Sequence, residues 1–275
     1  MPRLKPGLWT AVLVLVLITL AAAAPELFTS GQAHETDPLA ALEGPSAAHP
    51  FGTDAIGRDV FTRVVYGARQ SLLAGLGAAL LAIVLGTLLG LVAALGGRTA
   101  DEIIMRLTDV MLSLPTLLLA LVVLTITGPG TFNAIYAIAL YTAPGYCRLV
   151  RVQTQVIRRS GYLEAATAQG LTRTRIILRH IVPNAFTPLL VLATIEVGTA
   201  LTAAASLSFL GLGAQPPAPE WGAMLAAGRD YFSVAWWMAV FPGAAITLTV
   251  LSITVVGGTL QRRLEGWDAL ERRGR

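Results

Sequence analysis

The chain has 275 residues, of which 55% are hydrophobic and 13% are charged, and its formal net charge at pH 7 is +4. Soluble domains carry about 25% charged residues, so this composition excludes an ordinary soluble domain and indicates an integral membrane protein. The single cysteine, Cys147, excludes an intrachain disulfide and a cysteine-rich metal site.

The first predicted element is an apolar run from Leu8 to Ala24, preceded by Arg3 and Lys5. Its length and basic flank predict a membrane span that starts in the cytoplasm. A cleaved signal peptide ending at Ala22–Ala24 is the alternative interpretation.

Residues 25–69 are rich in proline, glycine and acidic side chains and are predicted to form an external loop. Within it, Asp59–Arg69 predicts a short amphipathic helix that leads into the membrane. The reason is that Val60, Val64 and Gly67 fall on one helical face.

Five further spans are predicted from the length of the apolar runs. They are Ser71–Gly96, Val110–Thr127, Phe132–Cys147, Phe186–Gly213 and Val234–Gly258. Pro115 predicts a kink or broken turn near Ser113–Pro115, and Pro144 with Gly145 predicts a bend in the fourth span. The fold class is therefore all-α, a polytopic membrane protein with six transmembrane helices.

The predicted domain organisation has three parts. Residues 1–70 hold the first transmembrane helix and the external loop, and residues 71–260 hold a five-helix transmembrane core. A polar segment, 148–184, lies within that core. Residues 261–275 form a charged, frayed cytoplasmic tail.

The basic residues are distributed asymmetrically. Sixteen of the 20 Arg and Lys residues fall in the segments assigned to the cytoplasm, the exceptions being Arg58, Arg63, Arg69 and Arg229. Because positive residues accumulate in cytoplasmic loops, both termini are predicted to lie in the cytoplasm. The net charge therefore reflects membrane topology and does not indicate a nucleic-acid partner.

The sequence carries no catalytic constellation, so the chain is not expected to be an enzyme or to hold a cofactor or metal. His34, His49 and His180 fall on opposite predicted sides of the membrane, which disfavours a metal cluster. Lys5 is the only lysine, so the P-loop pattern G-x-x-x-x-G-K-[ST] cannot occur. If ATP powers this protein, another chain binds it.

The central cytoplasmic stretch reads EAATAQGLTRTRIILRHIVPN from Glu164 to Asn184. Its first part predicts a short helix with a surface of small alanines that Gly170 terminates. A second helix is predicted over Thr172–Ile181, which Pro183 interrupts. The first helix suits insertion into a groove on a partner protein, and a solvated or lipid-surface basic helix is the alternative.

These residues carry a resemblance. Glu164-Ala165-Ala166, then Gly170, then Ile181-Val182-Pro183-Asn184 resembles the EAA loop of permease subunits of bacterial binding-protein-dependent ABC importers. The chain is most similar to the C-type subunit of the dipeptide, oligopeptide and nickel permease group. Further similar stretches are His49–Asp54, Gly57–Val60, Tyr66–Arg69, Leu207–Gly213 and Gln215–Pro217.

The resemblance implies an importer in the bacterial inner membrane. Two homologous permeases would form the pathway, two cytoplasmic ATPase subunits would bind ATP and Mg²⁺, and an external binding protein would deliver di- or oligopeptides. Nickel or another metal chelate is the alternative cargo. A stand-alone channel or secondary transporter is the alternative of a different class, and it predicts intramembrane polar clusters and often an inverted repeat.

The resemblance also implies which residues couple the chain to ATP hydrolysis. Leu163–Gly170 would be a coupling helix seated in a groove of one ATPase. The implied coupling residues are Glu164, Ala165, Ala166, Gly170, Ile181 and Pro183.

Glu196 is the one acid expected deep in the membrane. It lies about ten residues into the fifth predicted span, or about 15 Å deep at about 1.5 Å per residue. Such a carboxylate is expected to face the bundle interior or a cavity. It either lines the pathway and meets a cationic substrate, or it is a buried structural acid.

Four charged residues on the external side are predicted to contact the docked binding protein: Arg58, Asp59, Glu220 and Arg229. Pairing of Arg58 and Asp59 within the loop is the alternative. Trp221, Trp236 and Trp237 are expected to be interfacial anchors.

Overall fold

The computed structural model describes residues 6–161 and 171–273. These residues are mostly helical, and within them strand pairing is limited to an isolated antiparallel bridge between Thr53 and Asp59. Two short 3-10 helices, Pro25–Leu27 and Pro38–Ala40, lie in the external loop. The other helices are α1 (Pro6–Ala23), α2 (Val60–Leu95), α3 (Arg98–Ser113), α4 (Thr116–Thr127), α5 (Thr131–Arg158), α6 (Arg173–Ile176), α7 (Val182–Phe209), α8 (Trp221–Arg229) and α9 (Trp237–Arg273).

Within the described ranges, three helical segments are long and apolar enough to cross a membrane: Val60–Leu95, Leu192–Phe209 and Trp237–Arg262. The bent pair α3 and α4 makes a fourth if it is counted as one broken span, and α1 is a shorter apolar helix. The all-α membrane fold is confirmed. Within the described residues, however, fewer than the predicted six segments are long and apolar enough to cross a membrane.

The third predicted span is broken at Pro115. α3 ends at Ser113, α4 starts at Thr116, and the two axes are bent by 100°. Leu114 is extended, with φ −87° and ψ 141°, because the proline ring disfavours helical geometry in the residue before it. The kink expected near Ser113–Pro115 is therefore a full break, and Val110–Thr127 is not one continuous helix.

The fourth predicted span extends further than expected. α5 runs without interruption from Thr131 to Arg158 and contains Pro144, so the helix does not end at Cys147. A proline inside a membrane helix is tolerated where neighbouring groups hold the flanking turns in place. The polar segment expected from residue 148 onward therefore begins as a continuation of this helix.

The described residues divide into two compact units. One comprises residues 6–78, 124–135 and 194–273, and the other comprises residues 79–123, 136–161 and 171–193.

In the second unit, α2 and α5 pack closely at two glycines. A Cβ atom added at Gly90 would lie 2.6 Å from the Cys147 carbonyl oxygen and 2.7 Å from Cβ of Val150. A Cβ atom at Gly86 would collide with Tyr146. The Gly-x-x-x-Gly spacing therefore permits direct contact between helices, as membrane interfaces with small residues do.

In the first unit, the external loop packs on the start of α2, on α8 and on α9. The Trp221 indole donates a hydrogen bond of 2.8 Å to the Val64 carbonyl, and the Trp237 indole donates one of 3.0 Å to the Thr53 carbonyl. Both tryptophans are buried, whereas Trp236 is 47% exposed. The prediction that all three are interfacial anchors is wrong for Trp221 and Trp237, which form part of a packed core.

The C-terminal tail also differs from its prediction. α9 continues to Arg273 as one helix, so the charged residues after Gly258 extend the last span rather than fray from it.

Candidate functional site

The described part of the central segment begins after Gly170. Glu164, Ala165, Ala166 and Gly170, the core of the predicted coupling motif, lie outside the described residues. Their predicted role remains a prediction. Ile181 and Pro183 are described.

Residues 173–209 form a single helical path with one wide turn. α6 leads into a π-helical turn, Ile177–Ile181, which leads directly into α7. The turn closes where the backbone N–H of Val182 donates to the Ile177 carbonyl, five residues back. The prediction that Pro183 interrupts the helix is therefore wrong.

The position of Pro183 explains why the turn is wide. Proline has no backbone N–H, and in a regular α-helix its ring would clash with the carbonyl four residues earlier. A π turn inserts one extra residue and changes the spacing of the carbonyls beneath the ring. Asn184 supports the turn, since its side-chain amide donates 2.7 Å to the His180 carbonyl.

Ile181 fixes the inner side of this turn. Its side chain is only 3% exposed, so an apolar contact in the protein interior holds the turn in place. The structure thus places Ile181 and Pro183, whose coupling role stays a prediction, in a continuous helical connection to α7.

Two arginines of α5 pair with α3 on the predicted cytoplasmic side. The Arg151 guanidinium donates from Nε and Nη2 to the two carboxylate oxygens of Asp101, the Nη2 bond measuring 2.6 Å. Arg148 pairs with Asp109. The forked Arg151 contact is the stronger kind of charge-assisted hydrogen bond and holds α3 against α5.

Glu196 lies at the midpoint of α7. Its side chain is half-buried, and within the described ranges it makes no hydrogen bond or ion pair. Its depth in the membrane stays a prediction from the sequence.

Arg58 and Asp59 both pair within the external loop, as the alternative interpretation expected. Arg58 Nε lies 2.6 Å from Asp54 Oδ2, and the Arg58 side chain is 19% exposed. Asp59 accepts from the Thr62 backbone N–H at 2.7 Å and lies 3.1 Å from His49 Nδ1. Asp59 is therefore the N-terminal cap of α2.

Glu220 is a buried cap rather than an exposed contact. Its carboxylate accepts hydrogen bonds from the backbone N–H groups of Gly222 at 2.9 Å and Ala223 at 2.8 Å, and the residue is 2% exposed. This burial contradicts the expectation that Glu220 is available to a docked protein. The carboxylate instead satisfies the free N–H groups at the start of α8.

Arg229 remains exposed. Its side chain is 63% exposed, lies 3.1 Å from the Asp230 carboxylate and sits 5.6 Å from the Phe209 ring centroid. Of the four predicted external contacts, Arg229 presents its charge most openly.

The structure adds a buried ionic cluster that sequence reasoning did not identify. Asp54 receives Arg58 and also lies 3.8 Å from Arg63 Nε. Arg63 is 6% exposed and donates 2.9 Å to the Ala33 carbonyl. These side chains line a cavity of about 150 Å³ with Met224 and Tyr231. Burial of a charge is not visible in local sequence. The four-residue separation of Asp54 and Arg58 is the sequence signal that could have indicated this pair.

Comparison with known proteins identifies the family of this chain. The family of binding-protein-dependent transport system inner membrane components matches residues 60–267. The dipeptide transport system permease protein DppC of Alkalihalophilus pseudofirmus is 46% identical over 93% of this chain and 85% of its own length. The glutathione transport system permease protein GsiD of Pectobacterium atrosepticum is 42% identical over 92% of this chain and 84% of its own length.

The fold is also similar to a solved structure. An inward-facing conformation of the MetNI methionine ABC transporter matches with a TM-score of 0.58 at 21% identity, covering 74% of this chain and 96% of that chain. At this sequence identity, the match shows a similar fold and nothing about function. The family expected from the EAA resemblance is confirmed: the chain belongs to the inner membrane components of binding-protein-dependent transport systems.

Proposed function

We propose that this chain is the permease subunit of an ATP-driven importer that moves di- or oligopeptides from an external binding protein into the cytoplasm. The observation that carries the proposal is the 46% identity, over 93% of the chain, to a protein named for dipeptide transport. A second relative is named for glutathione, which is itself a short peptide.

ATP is bound by separate chains in this proposal. Lys5 is the only lysine, so this chain has no P-loop of its own. A second, homologous permease completes the pathway, and two ATPase subunits dock on the cytoplasmic side. The excess of Arg and Lys in the predicted cytoplasmic segments supports an orientation with both termini in the cytoplasm.

The coupling motif transmits the motion of the ATPases. Residues 164–170 seat in an ATPase groove, and the continuous helical path from Arg173 to Phe209 links that groove to the middle of the membrane. ATP-driven closure of the partner dimer moves this path and shifts the pathway between inward-facing and outward-facing states.

On the external side, Arg229 is the contact we propose for the binding protein, because it is exposed. Its partner Asp230 lies on the same surface. Arg58 and Asp59 contribute mainly by shaping the loop that presents this surface.

Transport by the complete complex tests the proposal. The chain is reconstituted into proteoliposomes with its second permease, its ATPases and its binding protein, and ATP-dependent uptake of a radiolabelled dipeptide is measured beside uptake of a nickel chelate. We expect dipeptide uptake that requires ATP and the binding protein. Dipeptide uptake no greater than in vesicles without ATP, or uptake of the nickel chelate alone, would contradict it.

A further inference from the structure

One face of α7 is polar over two turns of the helix. Its members are spaced at i, i+3 and i+7, which puts them on one side of an α-helix. They are Thr199, Thr202 and Ser206, and all three are exposed. One turn earlier the same side carries the half-buried Ile195, so the polar part begins at Thr199. We call this set of three residues the hydroxyl face.

The opposite side of the same helix is packed and apolar. Ala200, Leu201, Ala204 and Leu207 are each no more than 5% exposed. Next to them, Gly198 lies against α9, where an added Cβ would be 3.6 Å from Val250. The hydroxyl groups therefore occupy the side of α7 that the chain itself leaves uncovered.

An exposed face suited to lipid has a different composition in this protein. Along α2, every fourth residue is a large aliphatic side chain that is between 42% and 62% exposed: Leu76, Leu80, Val84 and Leu88. Such a face matches acyl chains or an apolar partner helix. The hydroxyl face gains no comparable contact from hydrocarbon.

The hydroxyl groups keep an unused hydrogen-bonding capacity. Thr202 donates to the Gly198 carbonyl at 2.9 Å and Ser206 donates to the Thr202 carbonyl at 2.8 Å. Each of these two donors is thus satisfied within the helix, as is common for Ser and Thr. Each oxygen still offers a lone pair to a group outside the helix.

Glu196 borders this face at mid-helix. It is three residues before Thr199, on an adjacent position of the helical surface, and within the described ranges it has no hydrogen-bond or ion-pair partner. A carboxylate at this depth is strongly disfavoured in lipid and belongs in a protein interior or a water-filled cavity.

We infer that the hydroxyl face lines the aqueous translocation pathway and that Glu196 binds the protonated amino terminus of the passing peptide. This inference rests on the proposed peptide import and names the part of the substrate that this chain recognises. The carboxylate complements an ammonium group, and the hydroxyl oxygens accept hydrogen bonds from peptide N–H groups. Several weak contacts of this kind let a substrate enter and leave.

Thiol labelling tests the pathway without reference to the substrate. Cys147 is fully buried, so a Cys147→Ala background receives one new cysteine: Thr199→Cys, Ser206→Cys or, as the control, Leu80→Cys. The assembled complex in membrane vesicles is treated with a charged, membrane-impermeant thiol reagent. We expect labelling of the first two variants at least about tenfold faster than of the control, because thiol reactivity requires ionisation in water.

Equal, slow labelling at all three positions would overturn the assignment of the hydroxyl face. That result would mean that lipid or the second permease covers it. Slower labelling of Thr199→Cys in saturating dipeptide would support contact between the face and the substrate.

Uptake by Glu196→Gln tests recognition of the amino terminus. Two forms of one dipeptide are compared, with a free and with an acetylated amino terminus, and each rate is divided by the wild-type rate so that the preference of the binding protein cancels. We expect about a tenfold loss for the free amine, the effect of losing one charge-assisted hydrogen bond, and little change for the acetylated form. Glu196→Asp should retain most of the preference.

The control for loss of charge is Glu102→Gln, the same substitution at an acid of α3 whose side chain is 62% exposed. Equal losses for both peptides in Glu196→Gln, or no loss for either, would overturn the inference. If the wild-type complex imports neither peptide, the proposed function fails instead, so the two failures are distinguishable.

Discussion

The Ser71 hydroxyl of α2 donates a hydrogen bond of 3.2 Å to Oε1 of Glu220, the residue that caps α8. The same hydroxyl accepts the backbone N–H of Trp221 at 3.1 Å. Ser71 and Glu220 are both buried, at 1% and 2% exposure. Because a carboxylate buried this deeply must be hydrogen-bonded, this pair of residues attaches α8 to α2.

The first prediction concerns Glu220. Glu220→Ala removes the cap of α8 and leaves buried N–H groups without acceptors, so we expect a loss of roughly 2 to 3 kcal/mol in the free energy of unfolding. The measurement is thermal unfolding of the purified complex in detergent. Arg229→Ala, at an exposed pair, should cost less than about 1 kcal/mol, and an equally small cost for Glu220→Ala would contradict the buried-cap assignment.

The second prediction concerns the contact between α2 and α5. Gly90→Ala places a methyl group 2.6 Å from the Cys147 carbonyl oxygen, so we expect a destabilisation of about 1 to 3 kcal/mol from overpacking. Gly145→Ala is the matched control, since an added Cβ there meets nothing within 4 Å. That control should be neutral or stabilising by about 0.5 to 1 kcal/mol, and equal behaviour of the two variants would refute the close contact.

The third prediction concerns coupling. Gly170→Leu should abolish binding-protein-dependent uptake and transport-coupled ATP hydrolysis, because a bulky side chain at the end of the coupling helix obstructs its fit in the ATPase groove. Gly161→Leu is the control, since Gly161 is exposed and an added Cβ meets nothing within 4 Å. Both variants should reach the membrane in wild-type amounts. Normal uptake by Gly170→Leu would rule out this coupling role.

The fourth prediction concerns the π turn. Pro183→Ala supplies a backbone N–H that can restore regular α-helical bonding, which would rotate the basic segment by about 100° relative to α7. We expect uptake to fall about tenfold, corresponding to roughly 1.4 kcal/mol, with the complex still assembled. The checks are uptake and coupled ATP hydrolysis.

Asn184→Ala is the comparison for that experiment. It removes the amide hydrogen bond to the His180 carbonyl but leaves the proline in place, so the π turn should persist and uptake should stay within about twofold of wild type, since the lost bond is worth only about 1 kcal/mol. Unchanged uptake in Pro183→Ala would mean that the wide turn has no part in coupling.

Pro115 and Pro144 show how far local reasoning reaches. Both residues predict a disturbed helix, yet α3 and α4 separate at Pro115 while α5 continues through Pro144. A proline removes the same hydrogen bond in both places. Around Pro144, α5 packs against Gly86 and Gly90 of α2, and contacts of that kind are not visible in a linear pattern.

The sequence by itself determined the membrane class, most of the apolar segments, the charge asymmetry and the absence of a P-loop, because each depends on composition or on the spacing of near neighbours. Only the tertiary structure decided that Glu220 and Trp221 are buried, that Pro183 sits in a continuous helix and that the uncovered side of α7 carries hydroxyl groups. These properties depend on which surfaces meet in space, and residues far apart in the chain, such as Ser71 and Glu220, decide that together.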